Sequence, residues 1–248
     1  MNRILFDKSE IIEGVATFSD VRAEHVMKVL HGEVGQILKT GEINGLIGTS
    51  VIERIEQGAV SVRCTHDRPS LQPWIDLVLA PPRPRAMKRL LPQLATLGVG
   101  RIVLVGAEKV EKAFWGAQLL KEEIYRPLLV DGLQQGGTSI LPTIQIEKSF
   151  RRWAEHRLDA DFAGQPTRIV AHPSAASCDG EGAAATPGRD GEGAASARPV
   201  LAIGPEGGWT DDEVALLEAH GFARMSLGPR ILRTDTAVIA LLARLMPQ

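Results

Sequence analysis

From Ile75 onward the chain alternates short, unbroken apolar runs with longer stretches whose apolar residues recur at helical spacing. Few folds accept that pattern. Ile75–Ala80, Arg101–Val105, Ile144–Ile146, Arg168–Ala171 and Val200–Ile203 read as buried strands. Met87–Leu97, closed by Gly98, a longer stretch from about Ala117 to Gln135, and Phe150–Arg157 read as helices between them. Strands hidden on both faces and separated by helices predict a parallel sheet covered on each side.

The chain before Arg68 reads differently. Arg3–Phe6, Val15–Phe18, Gln36–Lys39, Leu46–Ile55 and Ala59–Cys64 are short strands, and Glu56-Gln57-Gly58 is a tight hairpin turn. One helix interrupts them. Ser19 and Asp20 can cap it, Ala23, Val26, Met27 and Leu30 form its apolar face, and Gly32 stops it. Many short strands with one helix predict a small β-barrel. Arg68-Pro69-Ser70-Leu71-Gln72-Pro73 is a proline-bearing hinge, so the expected division is residues 1–70 and 73–248. Between Ser174 and Pro199 there is no Leu, Ile, Val, Phe or Met. Such a stretch cannot bury enough apolar surface to offset its ordering entropy, so residues 174–199 are read as a disordered insertion linking two core strands.

Composition excludes several classes. Hydrophobic residues are 44% and charged residues 23% of 248, a globular balance. No apolar run approaches the roughly 18 residues of a membrane-spanning helix, and the N-terminus lacks a signal-peptide pattern. The two cysteines, Cys64 and Cys178, have no Cys or His nearby at metal-ligand spacing. A reduced, cytoplasmic protein with no metal, no disulfide framework and no membrane partner is expected. The net charge of -2 argues against a uniformly basic nucleic-acid binder. A local patch remains: no acidic residue occurs from Leu77 to Ala107, whereas Arg83, Arg85, Lys88, Arg89 and Arg101 do. These suit RNA phosphates, or alternatively a solvated helix face.

Two loops carry the chemistry. In Ile203-Gly204-Pro205-Glu206-Gly207-Gly208-Trp209-Thr210-Asp211-Asp212-Glu213 a buried strand runs through a glycine turn into a helix, with Thr210 and Glu213 as a capping box. Gly207 and Gly208 permit positive φ and close approach of a ligand, although an ordinary strand–helix turn would use them too. The spacing fits neither the dinucleotide fingerprint nor the phosphate loop. The second loop is Ser226-Leu227-Gly228-Pro229-Arg230-Ile231-Leu232-Arg233-Thr234-Asp235-Thr236-Ala237, between a strand at Ala223–Leu227 and a helix from about Asp235 to Leu245. Thr234 can cap that helix, and for a single arginine here, Arg230 or Arg233, a pair with Asp235 is the plain structural alternative. Both loops should lie at the carboxyl edge of one sheet, where open α/β sheets bind ligands.

These two loops resemble the RsmE family of the SPOUT class, enzymes that methylate N3 of a uridine in small-subunit (16S) ribosomal RNA with S-adenosylmethionine. The resemblance runs the length of the chain. Ala23-Glu24-His25 and Val29-Leu30 match the family's N-terminal region, Leu97-Gly98-Val99 its first catalytic-domain helix end, and Gln134-Gln135 its Glu-Gln pair. It implies an α/β protein, with an N-terminal PUA-like barrel that binds RNA, a C-terminal SPOUT domain closed by a deep trefoil knot, and a homodimer. It also implies a cofactor site opened by Ala171 and His172 and walled by Ile203, Gly204, Pro205, Glu206 and Gly207. Ser226, Leu227 and Gly228, with Ile231, Leu232, Arg233, Thr236 and Ala237, would enclose adenine and methionine. His172 reads equally as a strand-end surface histidine.

Methylation at N3 requires loss of the N3 proton. Arg233 is the candidate to stabilise the uridine anion and Asp235 the weaker candidate for a base. The chain departs from the family where Gln93 and Thr96 replace Lys and Glu, Thr138 and Ile140 replace arginines, and Asp235 replaces Glu. A ribosome-assembly protein that binds RNA without turnover is the alternative, and a nucleotide-dependent metabolic enzyme a third reading.

Overall fold

A computed structural model describes residues 2–173 and 198–247. The chain forms two compact units, residues 1–72 with 129–141 and residues 73–128 with 142–248.

The first unit is built on strands β1 (Ile4–Phe6), β2 (Ile11–Ile12), β3 (Val15–Phe18), β4 (Ile37–Glu42), β5 (Ile47–Glu56) and β6 (Ala59–Arg68), with helix α1 (Val21–Lys28). They form a six-stranded sheet in the order β1-β4-β5-β6-β3-β2. The pairs are antiparallel except β1 with β4. Gln57 and Gly58, both at positive φ, make the β5–β6 turn that the sequence predicts. Asp20 caps α1 by accepting the Arg22 N–H, but the helix ends at Lys28 and leaves Leu30 40% exposed. Ile4, Phe6, Phe18, Val26, Leu38, Ile52, Val60 and Val62 make its core. Residues 129–141, which the sequence assigned to the second domain, join this unit. The Gln134 carbonyl accepts the N–H groups of Asn2 and Arg3, both at 3.1 Å, and the Ser139 N–H donates to Ser70 Oγ at 2.9 Å.

The second unit holds β7 (Ile75–Leu79), α2 (Pro84–Thr96), β8 (Val99–Val105), the start of α3 (Glu122–Gly136), β9 (Thr143–Glu147), α4 (Phe150–His156) and α5 (Leu158–Asp161). β10 (Arg168–Ala171), β11 (Val200–Ile203), α6 (Asp211–Ala219), β12 (Ala223–Met225) and α7 (Thr234–Leu245) follow. Its six strands run in the order β12-β10-β11-β7-β8-β9, and every pair is parallel. β7 and β11 are buried throughout, as their unbroken apolar sequences require. α3 starts later than its apolar spacing suggests, because 3-10 turns occupy Lys112–Gly116 and Gln118–Leu120.

Asp76 on β7 is fully buried and organises the amino ends of the strands. It accepts from the Arg101 N–H at 2.9 Å, Gln165 Nε2 at 2.8 Å and Arg198 Nη2 at 3.2 Å. Arg101, read from the sequence as a candidate phosphate ligand, therefore faces inward, and its guanidinium lies over the Phe162 ring at 5.1 Å. The insertion read at 174–199 lies outside the described residues up to 197. Its last two residues lead directly into β11 and are tied to β7, since the Pro199 carbonyl accepts the Asp76 N–H at 2.9 Å and Arg198 Nη2 donates to the Asp76 carboxylate.

Candidate functional site

β10 lies between β11 and β12, so the chain leaving its carboxyl end at Ala171 and His172 is flanked by both glycine loops. The His172 N–H donates to the Met225 carbonyl at 2.9 Å, extending the β10–β12 ladder by one residue. These strand ends enclose a cavity of about 480 Å³. Ala171, His172 and Pro173 form one side, the run Ile203–Trp209 a second, and Met225–Gly228 a third. Arg230, Ile231, Leu232, Thr234, Ala237 and Leu241 complete it.

The first loop is held from several directions. A Cβ on Gly204 would stand 2.9 Å from the Trp209 backbone nitrogen, so this turn accepts only glycine. Gly208 takes positive φ and its N–H returns to the Pro205 carbonyl at 2.8 Å. Gly207, expected to share that conformation, does not; its space is limited by Lys109, whose Nζ donates to the Gly207 carbonyl at 3.0 Å. Thr210 and Glu213 form the capping box of α6, and Glu213 Oε1 also accepts the Glu108 N–H at 2.8 Å. The second loop bends at Gly228, with φ of +98°, where Ser226 Oγ accepts the Gly228 N–H at 3.1 Å. Trp209 stacks near Phe150, ring centroids 5.1 Å apart, and its buried Nε1 has no hydrogen-bond partner among the described residues.

A second cavity of about 450 Å³ shares Glu206 and Thr234 with the first. Pro82, Arg83, Arg85, Ala86 and Arg89 line it from the start of α2, and Arg233 and Asp235 from the start of α7. The Arg83 N–H donates to Glu206 Oε1 at 3.1 Å, and its Nε to Glu111 Oε1 at 3.0 Å. Arg89 Nη2 reaches Asp235 Oδ2 at 3.4 Å, so the arginine paired with Asp235 is Arg89 and neither Arg230 nor Arg233 of the loop.

Most residues that the sequence singled out for a cofactor gather around the first cavity, with two exceptions. Arg233 lines the second cavity, and Thr236 is exposed on α7 and lines neither. Thr234 does not cap α7 with its side chain; Arg233 is the N-cap residue and Thr234 is buried in the first turn. Arg83, Arg85 and Arg89 come together, whereas Lys88 points from the same helix without lining the cavity. Sequence reasoning did not assign Pro173, Gly208, Trp209, Met225, Arg230, Thr234 and Leu241 to the site. Thr234, Ala237 and Leu241 fall at i, i+3 and i+7, so the helical period of α7 could have exposed two of them.

The family model for an RNA methyltransferase domain matches residues 69–246. The ribosomal RNA small subunit methyltransferase E of Treponema pallidum is 33% identical, over 97% of this chain and 88% of its own. A Legionella pneumophila protein solved in complex with the cofactor SAM superposes with a TM-score of 0.72 at 25% identity, covering 98% of this chain and 96% of that one. The ribosomal RNA small subunit methyltransferase E of Neisseria gonorrhoeae, solved with S-adenosyl methionine, gives 0.74 at 21% identity and the same coverage, a likeness of fold. On the family match and the full-length relative, the chain belongs to the ribosomal RNA small subunit methyltransferase E (RsmE) family of RNA methyltransferases.

Proposed function

We propose that the protein transfers the methyl group of S-adenosylmethionine to N3 of a uridine in the RNA of the small ribosomal subunit. The observation that carries this reading is the pairing of two adjoining cavities, one walled by glycine-rich strand ends and the other by arginines. The first suits the cofactor on its own chemistry. Its backbone N–H and C=O groups are not screened by side chains at Gly204, Gly207 and Gly228, and Ile203, Met225, Leu227 and Leu241 give apolar walls for a purine. When bound, S-adenosylmethionine supplies a methyl group on a cationic sulfur, open to attack by an anionic nitrogen.

The chain's own task is to make that nitrogen anionic and hold it still. Arg233, at the neighbouring cavity, stabilises negative charge on the uracil ring, and Asp235, held by Arg89, receives the N3 proton. In this reading the second unit is a SPOUT domain with a knotted C-terminal segment, and the first a PUA-like barrel that adds RNA affinity. The protein works in the cytoplasm as a homodimer, and Ile231, 92% exposed at the rim of the first cavity, is the apolar surface that a second copy covers.

The deciding experiment is mass-spectrometric mapping of ribosomal RNA nucleosides from cells with and without the gene, beside calorimetric titration of S-adenosylmethionine. The expected outcome is one N3-methyluridine lost with the gene. Cofactor binding with no missing methyl group would favour an assembly protein that binds RNA without turnover.

A further inference from the structure

Lys109 stands on the turn that follows β8, and that turn is fixed along its length. The Gly106 N–H donates to the Glu147 carbonyl at 2.8 Å, the Phe150 N–H to the Gly106 carbonyl at 3.1 Å, and the Val110 N–H to the Ala107 carbonyl at 3.1 Å. Ala107 and Val110 are buried, so the exposed Lys109 side chain leaves a rigid base. Glu111 and Glu206, on the neighbouring loops, are both taken by Arg83. Lys109 has no carboxylate partner among the described residues. Its ammonium donates to backbone instead, to the Gly207 carbonyl at 3.0 Å and the Trp209 carbonyl at 3.4 Å. Ordering an exposed lysine costs side-chain entropy, which a charge-assisted bond to a fixed acceptor offsets. β7 lies between β8 and β11, so the lysine reaches across the end of a strand to hold the first loop.

The fit is reciprocal. A Cβ on Gly207 would stand 3.0 Å from Lys109 Cδ and 3.3 Å from its Cβ, so the lysine stem lies along the space that a side chain would fill. Gly207 is not at positive φ, and its lack of a side chain answers to this stem rather than to backbone conformation. One residue earlier, the Glu108 N–H donates to Glu213 Oε1 at 2.8 Å, while Glu213 Oε2 accepts the Thr210 N–H at 2.9 Å. One turn therefore grips the glycine loop at two points, with the positive-φ Gly208 between the two carbonyls that Lys109 holds.

Building on the transferase reading, we propose that Lys109 is a positioning residue for the methyl donor. It does not line the first cavity. It acts through Gly207 and Trp209, which do, by fixing two peptide groups of the wall before the cofactor arrives. A loop already in its bound shape avoids the ordering cost of binding. The cation serves the cofactor wall and not an RNA phosphate.

The test is a double-mutant cycle on the full-length protein, read by calorimetric titration of S-adenosylmethionine. Lys109→Met keeps the stem and removes the ammonium, and should weaken binding roughly tenfold, the scale of a hydrogen bond to a charged group. Lys109→Arg keeps the charge and the donors and should restore most of it. Gly207→Ala should cost a similar factor, because its methyl group displaces the stem. Made in a Lys109→Ala background, Gly207→Ala should add almost nothing, since contacting residues are not additive. Effects that multiply independently would overturn the clasp, as would an unchanged Kd for Lys109→Met. Lys112→Ala removes an equal charge three residues on and should change nothing; an equal loss there would reduce the effect to net charge and refute the proposal.

In turnover assays on ribosomal RNA, Lys109→Met should raise KM for the cofactor while kcat at saturating cofactor and KM for RNA stay near the parent's. The reverse split, with KM for RNA raised and the cofactor Kd intact, would make Lys109 a phosphate ligand and overturn its positioning role. Weaker cofactor binding that comes with a lowered melting temperature and no rescue by arginine would mark a merely structural residue, and would overturn it too. A parent that binds the cofactor but methylates no RNA would overturn the transferase reading, and the Kd cycle would still decide the role of Lys109.

Discussion

Gly204 sits where the chain turns out of β11 with no room for a side chain. A methyl group there meets the Trp209 backbone nitrogen at 2.9 Å and the Gly208 carbonyl carbon at 3.2 Å, and backbone cannot swing aside as a lysine can. Gly204→Ala should therefore weaken S-adenosylmethionine binding by at least tenfold and lower the melting temperature, read by calorimetry and thermal unfolding. Arg233 makes the opposite case. Because it lines the second cavity, Arg233→Ala should reduce kcat while leaving the cofactor Kd nearly unchanged, the mark of an interaction that strengthens in the transition state. An unaltered kcat would remove Arg233 from the chemistry. Glycines and arginines in these loops were legible because they recur in two strand-to-helix loops whose combined pattern is more specific than any one turn residue. Trp209 was not, since its burial depends on Phe150, distant in sequence, and the Arg89–Asp235 pair joins helices that the sequence cannot bring together.

Strand identity was the clearest part of the sequence at the level of elements. β11 begins and ends where its apolar run does, because a strand buried on both faces has no polar residue to blur its limits, and β10 keeps the bounds read from the sequence although it opens on Arg168. Helix starts were harder. α3 was expected near Ala117 and begins at Glu122, as tertiary packing and not periodicity decides where 3-10 turns give way to α-helix. α5 shows how one carboxylate fixes several elements. Burial pushes the Asp161 carboxyl up, but hydrogen bonds from Trp153 and Gln145, with Arg157 and Arg101 nearby, outweigh it and hold the group below its usual range. A lowered folded value adds stability above the ordinary carboxylate range, and that stability is lost as pH falls through the folded value. Denaturant unfolding between about pH 2 and about pH 7 should show the parent losing stability below roughly pH 4, the usual carboxylate range. Asp161→Asn should be less stable at neutral pH and show a shallower acid-side decline, the remainder coming from other lowered carboxylates such as Asp20 and Asp159.

Taken whole, the molecule carries a net charge of -2 and must still hold a polyanion. Its affinity has to come from concentrated charge, and in the proposed function the α2 arginines supply it. Replacing Arg85, Lys88 and Arg89 together with Ala should flatten the salt dependence of RNA binding by roughly 0.7 in log–log slope for each phosphate that is no longer neutralised. An unchanged slope would move the RNA surface elsewhere. The alternation of strands and helices made a parallel sheet legible, but not its strand order, because which strand enters between which neighbours is settled by packing over long sequence separation. The expected boundary after residue 70 likewise missed residues 129–141, whose tie to the first unit is made by backbone hydrogen bonds without a sequence signature. That strand order has a bearing on synthesis. β7, β8 and β9 pair in the order in which they leave the ribosome, but β10 pairs only with β11 and β12, both made after it. Until Val200–Ile203 emerges, the growing chain holds a three-stranded fragment with the β7 edge open and a β10 segment that has no neighbour. Open parallel edges invite mispairing, so a ribosome paused in that interval exposes a nascent chain that chaperones must shield before its last strands arrive.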